Sequence, residues 1–481
     1  MSARRRFPSP RPTPSPAPQP SPVPSAALLA TARGIALQSL LAADESRRFA
    51  TDLLDDLLRD GALSGRDRGL ATELVYGVIR RQGTLSTCLR PHLSRNWDEL
   101  EPGLRWLLSL GAYQLLFCDA IPPHAAVHET VGLASVAGQP RWTGFANAVL
   151  RALAQAALSE SSTSPARNAV PVANGTYRLL ATAPFPDPAI DAAGYLSAGY
   201  GMPRWLVDRW LTRRSHDETR DLLDWFNRPV PLSLRVNRLK TTRDELIARF
   251  EVAGLTEVER STDDDAILRL SAPGGIAALP GFHEGLFAVQ DESALAAARL
   301  LAPKPGERIL DLCAAPGGKT AALAELADDR TEIIACDIDH ERLKLVAQTA
   351  ARLGLTSIRV QPVLSDLRNV PAGPFDAILL DVPCSNTGVL GKRPEARHRL
   401  TPQDLIELPA IQRRIVDVAL ERLKPGGRLV YSTCSIEPEE NDDLVAAVLR
   451  DHPDLTLAAS RQHTPGQPGD GAYQALLVKR S

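Results

Sequence analysis

Two cysteines carry the chemistry this sequence offers: Cys384 in LLDVPCSNTG (379–388) and Cys434 in YSTCSIEPEEN (431–441). Each ends an apolar run with the length of a buried strand, and polar, proline-containing sequence suited to an open loop follows. Two thiols at the ends of neighbouring strands point to nucleophilic chemistry, whereas a lone strand-end cysteine is more often packing. The six cysteines form neither a disulfide framework nor the spacing of a zinc site, so a reducing cytoplasm is expected, with no metal. Cys88, Cys118, Cys313 and Cys336 are expected to be small buried hydrophobes.

A third stretch, ILDLCAAPGGKT (309–320), has the pattern strand, glycine turn, helix by which α/β proteins hold a nucleotide or a related cofactor. Gly318-Lys319-Thr320 matches the end of a P-loop, but the first P-loop glycine would have to be Cys313, whose side chain obstructs a phosphate-wrapping backbone. The dinucleotide fingerprint fails too. Its acidic partner is nevertheless present: Asp337 ends the next strand about twenty residues on, where a carboxylate accepts from ribose hydroxyls. The pocket is therefore expected to hold a nucleoside-like cofactor without a pyrophosphate, and S-adenosylmethionine fits. Asp366 is expected at the adenine edge and Arg342 beside the ribose.

The elements that must position these groups follow from patterning. At 481 residues the chain is too long for one ordinary domain, and 44% hydrophobic with 23% charged residues fits a globular protein. The net charge of -2 means that any nucleic-acid surface must be local. No apolar run is long enough to span a bilayer, and Arg4-Arg5-Arg6 runs into proline, so neither a membrane nor a secretory leader is expected. Residues 1–25 are expected to be a disordered, proline-rich tail. Residues 26–158 have helical periodicity throughout, with Leu70, Leu74, Val75, Val78 and Ile79 on one face and Ser64 as a cap. Residues 159–200, rich in Ser, Pro, Ala and Asn, are expected to be a partly flexible linker.

A small α+β module is expected over 201–280, with a helical stretch at 205–226 and Thr242 capping a further helix. Its Arg204, Arg209, Arg213, Arg214, Arg235, Arg238, Lys240 and Arg243 are expected to form a basic face for phosphates. Over 281–481, strands at 309–312, 333–336, 358–363, 377–381 and 429–433 alternate with helices. That alternation predicts a Rossmann-like α/β domain with a parallel, doubly wound sheet, its ligands at the carboxyl ends of the strands.

Paired thiols beside a methyl donor suit one reaction. Carbon 5 of cytosine is a poor nucleophile until a thiolate adds at carbon 6 and makes the ring an enamine. The carbon 5 proton must then leave so that the thiolate is expelled, hence one group to add and another to help release. An acid such as Asp381 can drain charge at ring nitrogen 3.

DLCAAPGGKT, DVPCSNTGVL and YSTCSIEPEEN, with FAVQDESALAAA upstream, closely resemble the Nop/Sun RNA 5-methylcytosine methyltransferases. DRGLATELVYGVIRR, IPPHAAVHETVGLA and GFANAVLRALA resemble a NusB-like RNA-binding domain, and residues 227–229 and 234–237 the small RNA-binding module before such catalytic domains. Together they point to the bacterial 16S rRNA (cytosine-5)-methyltransferase B family. The resemblance implies Cys434 as nucleophile and Cys384 in release. It implies cofactor contacts from Cys313, Ala314, Ala315, Pro316, Gly317, Gly318 and Lys319, then Asp337, Asp366 and Asp381. It implies 16S rRNA as partner; a monomer is expected. GVLGKRPEARHRL resembles the family's basic segment, but Gly391 and His398 stand where arginine and tryptophan are expected. The rival readings are a methyltransferase of tRNA or another RNA, a P-loop-like ATPase, and an inactive RNA-binding scaffold.

Overall fold

The computed structural model describes residues 26–46, 48–60, 63–271, 275–466 and 469–481, so the expected tail at 1–25 lies outside the described residues. The N-terminal part is a helical domain. Its helices include Ala32–Ser46, Ala50–Asp60, Gly65–Arg80, Gln82–Leu89, Pro102–Phe117, Pro123–Val136 and Trp142–Ala156. Ser64 caps Gly65–Arg80 by accepting from the Asp67 amide. Leu74, Val75, Val78 and Ile79 are buried there, with Leu70 packed at the margin. Gly77 lets this helix close on Pro102–Phe117: a Cβ would stand 2.0 Å from the Tyr113 ring.

Residues 159–200 are not a linker. Strands β1 (Ala157–Ser162), β2 (Ala169–Ala173) and β3 (Thr176–Leu180) form an antiparallel sheet in the order β1-β3-β2, followed by a helix at Ala192–Tyr200. Ala169, Val170, Tyr177, Leu180, Phe185 and Tyr195 join the core of the helical domain. Asn174-Gly175, both at positive φ, make the β2–β3 turn, a hairpin signal that the Ser- and Pro-rich composition masked.

The small module holds β4 (Leu232–Val236), β5 (Val258–Arg260), β6 (Ile267–Leu270) and β7 (Phe287–Val289) in the order β5-β6-β4-β7. Its edge strand β7 therefore comes from residues expected in the catalytic domain. Thr242 and Glu245 form a capping box, as do Ser215 and Glu218, and the latter splits the expected single helical stretch into Arg204–Leu211 and His216–Asn227.

The C-terminal sheet comprises β8 (Arg308–Asp311), β9 (Glu332–Asp337), β10 (Ile358–Pro362), β11 (Phe375–Asp381), β12 (Leu423–Thr433), β13 (Leu455–His463) and β14 (Ala472–Lys479). The order is β10-β9-β8-β11-β12-β14-β13. The five expected strands are present and mutually parallel, but β14 and β13 add antiparallel, so the sheet is mixed. Chain order reverses across β8, with β9 on one side and β11 on the other, and ligands bind where such a reversal opens a crevice.

The basic face of the small module is largely committed internally. Arg209 and Arg213 reach Glu437 at 2.6 Å each, and buried Arg235 reaches Glu325 at 2.6 Å. Arg204 pairs with Asp191 and Asp208, Arg238 with Asp265, and the Lys240 ammonium donates to the Glu284 and Arg352 carbonyls. Apart from Asp208, one helical turn from Arg204, these partners come from other segments, which sequence proximity cannot reveal.

The segment GVLGKRPEARHRL is likewise mostly a joint. Arg397 is fully buried and donates to the carbonyls of Arg80, Phe226 and Leu390 and to Asn227 Oδ1. Arg80 in turn donates to the Gly391 carbonyl at 3.0 and 3.1 Å, and His398 Nε2 meets the Ile79 carbonyl at 3.0 Å. Gly391 and His398 thus face the helical domain. Removing a buried donor leaves its acceptors unsatisfied. Arg397→Met is predicted to lower unfolding stability by about 3 kcal/mol, read by urea denaturation. Unchanged stability would refute the joint.

Candidate active site

Strand β8 delivers Asp311 to the crevice, and the turn after it depends on Gly317. Its φ is +102°, and a Cβ there would stand 2.9 Å from the Val346 Cα. The turn is fixed from β9: the Ala314 amide donates to the Cys336 carbonyl at 2.8 Å and the Ala315 amide to Asp337 Oδ2 at 3.0 Å. Asp337 Oδ1 accepts from the Asp339 amide at 2.9 Å. Asp337 thus props the turn through Oδ2 and its own strand end through Oδ1, with lone pairs left over for a further donor. Arg342 donates to the Ala315 carbonyl at 3.0 Å. Asp366 is exposed and paired with Arg368.

Helix Gly318–Leu326 starts at the turn and aims its first side chains inward. Lys319 Nζ stands 2.8 Å from Asp381 Oδ2, and Thr320 donates to Asp311 Oδ2 at 2.7 Å. Both residues of the P-loop-like ending are therefore bonded to carboxylates of the sheet, and that rival loses its phosphate ligands. Asp311 is fully buried, its Oδ1 has no partner, and burial pushes its carboxyl up to about 7. Strand-end carboxylates with an unmet acceptor fit a cofactor carrying a cationic sulfonium and ammonium, so the crevice fits S-adenosylmethionine.

The two cysteine loops leave β11 and β12 side by side, Asp381 being in register with Ser432. Fully buried Glu440 stitches them together. Its Oε1 accepts from the Ser385 amide and from Gln412, both at 2.9 Å; its Oε2 accepts from the Ser385 and Ser435 hydroxyls. The Gly388 amide donates to the Cys434 carbonyl at 2.9 Å, and a Cβ on Gly388 would come within 2.8 Å of that oxygen. The result is a Cys384–Cys434 Sγ separation of 3.1 Å, with both residues half-buried.

The environments of the two sulfurs differ. The hydrogen bond from Cys384, with the charges of Arg393 and Lys319, holds the Cys434 thiol below its ordinary value against burial and Asp381. The same bond, burial and the Glu440 charge push Cys384 well up. Burial also raises Cys313, and raises Cys118 and Cys336 to about 12, so these three stay protonated thiols.

The structure brings Cys313–Lys319, Asp337, Arg342, Asp381, Cys384 and Cys434 to one end of the sheet, and exposed Asp366 follows β10 at that same end. Sequence reasoning missed Asp311, which looked like part of an apolar strand, and Glu440, which looked like one more solvated acid in EPEEN. Among the described residues no group of His, Cys, Asp and Glu could hold a metal, and no helix is long and apolar enough to cross a membrane.

This fold and crevice define a class of methyltransferase. The family model described as 16S rRNA methyltransferase RsmB/F matches residues 298–477, the NusB family residues 30–155, and an RsmF/B-like ferredoxin-like domain residues 202–277. The chain is 35% identical over 460 residues to ribosomal RNA small subunit methyltransferase B of Salmonella newport (strain SL254), covering 93% of this chain and 98% of that one. The crystal structure of PH0851 superposes with a TM-score of 0.73 at 27% identity, covering 94% of this chain and 98% of that one. A methyltransferase homolog from Pyrococcus horikoshii gives 0.52 at 30% identity, over 58% of this chain and 96% of that one. The chain belongs to the ribosomal RNA small subunit methyltransferase B family.

Glu440→Ala leaves the Ser385, Ser435 and Gln412 donors without their acceptor in a dry site. It is predicted to cost about 3 kcal/mol of stability, measured by chemical denaturation; a superimposable unfolding curve would rule out the clamp.

Proposed function

We propose that this protein methylates carbon 5 of a cytosine in 16S rRNA through a covalent bond between Cys434 and carbon 6. The carrying observation is the thiol pair, its sulfurs 3.1 Å apart beside the Lys319–Asp381 pair at the cofactor crevice. S-adenosylmethionine, when bound, supplies the electrophilic methyl group. Asp311, Asp337, Asp381 and the turn from Cys313 to Lys319 are the residues that hold it.

Cys434, the sulfur with the depressed ionisation, adds to carbon 6 as the thiolate. Asp381, carrying a proton relayed from Lys319, or Lys319 itself donates toward ring nitrogen 3 as charge builds there. Carbon 5, now enamine-like, takes the methyl group. The carbon 5 proton then passes to a solvent water as the ring double bond re-forms and the Cys434 sulfur departs as the thiolate, the ring nitrogen 3 proton returning to the Lys319–Asp381 pair. Cys384, the nearest group to that carbon–sulfur bond, assists this release. Attack from the ring face requires the base to leave its stack, and the helical domain and small module supply the RNA affinity. The enzyme is placed in the cytoplasm by its substrate on this reading.

Cys434→Ala is expected to abolish 5-methylcytosine while S-adenosylmethionine still binds, read by bisulfite sequencing of rRNA and by calorimetry. Full methylation by that variant would sink the mechanism. Cys384→Ala is expected to accumulate a covalent protein–RNA adduct through Cys434, seen as a shifted band on a denaturing gel; turnover without any adduct would remove Cys384 from release. With the Cys434 ionisation depressed, the single-turnover rate should rise with pH and level off below about 8.5, the ordinary thiol value. A rate still climbing beyond that point would contradict an activated thiol.

A further inference from the structure

The cations of GVLGKRPEARHRL have separate destinations. Lys392 is held by Asp291 and Asp470, at 2.7 and 2.9 Å. Arg397 is buried among carbonyls, and Arg399 donates to the Arg48 carbonyl over the Phe49 ring. Arg393 differs. It is exposed at the crevice, and its Nη1 donates to Asn386 Oδ1 at 3.1 Å.

Asn386 is itself unusual. Its φ is +60°, in the left-handed region that asparagine tolerates better than most side chains. Its Nδ2 donates to the Cys384 carbonyl at 2.8 Å, and its Oδ1 accepts from the Cys434 thiol at 3.2 Å as well as from Arg393. One amide thus touches both cysteine residues and the guanidinium.

We propose that Arg393, acting through the Asn386 amide, is a positioning residue for the Cys434 sulfur. The guanidinium anchors the amide, the amide fixes the sulfur's direction, and the positive charge remains beside the sulfur when its proton leaves to solvent. The inference rests on reading Cys434 as the nucleophile.

The other groups facing Cys434 do not supply this charge. Lys319 is paired with Asp381, so their fields at the sulfur largely cancel. Cys384, from the loop after β11, contributes a proton but no cation. Glu440 behind Cys384 is anionic, and Asp470 behind Arg393 is paired with Lys392. Among the described residues Arg393 has no carboxylate ion-pair partner. Its charge is therefore the cation at the pair that no direct ion pair takes up, even though Lys392, shared by Asp291 and Asp470, leaves a net negative cluster behind it.

The test is the pH dependence of Cys434 alkylation by iodoacetamide, quantified on the Cys434 peptide by mass spectrometry, alongside single-turnover rRNA methylation. For Arg393→Met the midpoint should move up by about one pH unit, so both rates fall about tenfold at pH 7 and converge on wild type at high pH. Arg393→Lys should restore most of the loss, which a merely structural role would not do. Asn386→Gly keeps the left-handed backbone and removes the amide; it should slow methylation at every pH and guards against an Arg393 variant that fails to fold. Superimposable profiles for wild type and Arg393→Met, or wild-type rates for Asn386→Gly, would overturn the proposal. Alkylation needs no RNA, so an unmethylated cytosine in the wild-type reaction defeats the proposed function and leaves the thiol measurement standing.

Discussion

A carboxylate sealed from water has to find its hydrogen bonds inside the protein, and Glu440 finds them on both cysteine loops. Adjacent strands lie about 4.8 Å apart, and side chains on the loops beyond them have no reason to converge. By drawing Ser385 and Ser435 onto one oxygen, Glu440 closes the loops until the neighbouring sulfurs stand 3.1 Å apart. At that separation the thiols are within hydrogen-bond reach, and the ionisation of one depends on the other. The reactivity of the pair is thus a consequence of a buried charge two bonds removed from the chemistry.

The same stretch fixes the rest of the molecule. Glu437, also fully buried, accepts from Arg209, Arg213 and the Trp210 indole of the small module. Arg397, a short way beyond Cys384, holds the helical domain through the Arg80 carbonyl. Each outer domain is tied to a loop carrying one of the thiols, so domain orientation and thiol geometry are coupled. Interdomain interfaces usually permit relative motion; buried charges at both joints oppose it here, since each would be left unpaired in any other arrangement.

The legible parts of the sequence were those with local causes. Five strands of the C-terminal sheet follow from apolar runs bounded by turns, and the caps at Ser64 and Thr242 follow from residue type three positions before a receptive amide. The crevice was legible because glycine turn, acidic strand end and cysteine loops are each continuous in sequence. What could not be read has distant causes. Asp311 looks like one polar residue in a strand until Thr320 is seen bonded to it. The cations of the small module look solvated until Glu325 and Glu437 arrive from elsewhere. The sheet at 157–180 was hidden for another reason: its strands are short, the first is polar, and only Asn174-Gly175 marked a hairpin.

The assignment of roles to the two thiols comes down to sign. A hydrogen bond between them does not say which sulfur keeps the proton; the surrounding charge does. Cys384 lies toward anionic Glu440, which disfavours a second negative charge nearby, while Cys434 lies toward Arg393. Exchanging those neighbours would exchange the roles without moving either cysteine. The crevice extends the same logic to the cofactor. Asp311, Asp337 and Asp381 crowd three carboxylates at the ends of adjacent strands with one lysine among them, and burial together with Asp381 and Asp337 raises the Asp311 carboxyl to about 7. A cationic methyl donor bound there would relieve that crowding.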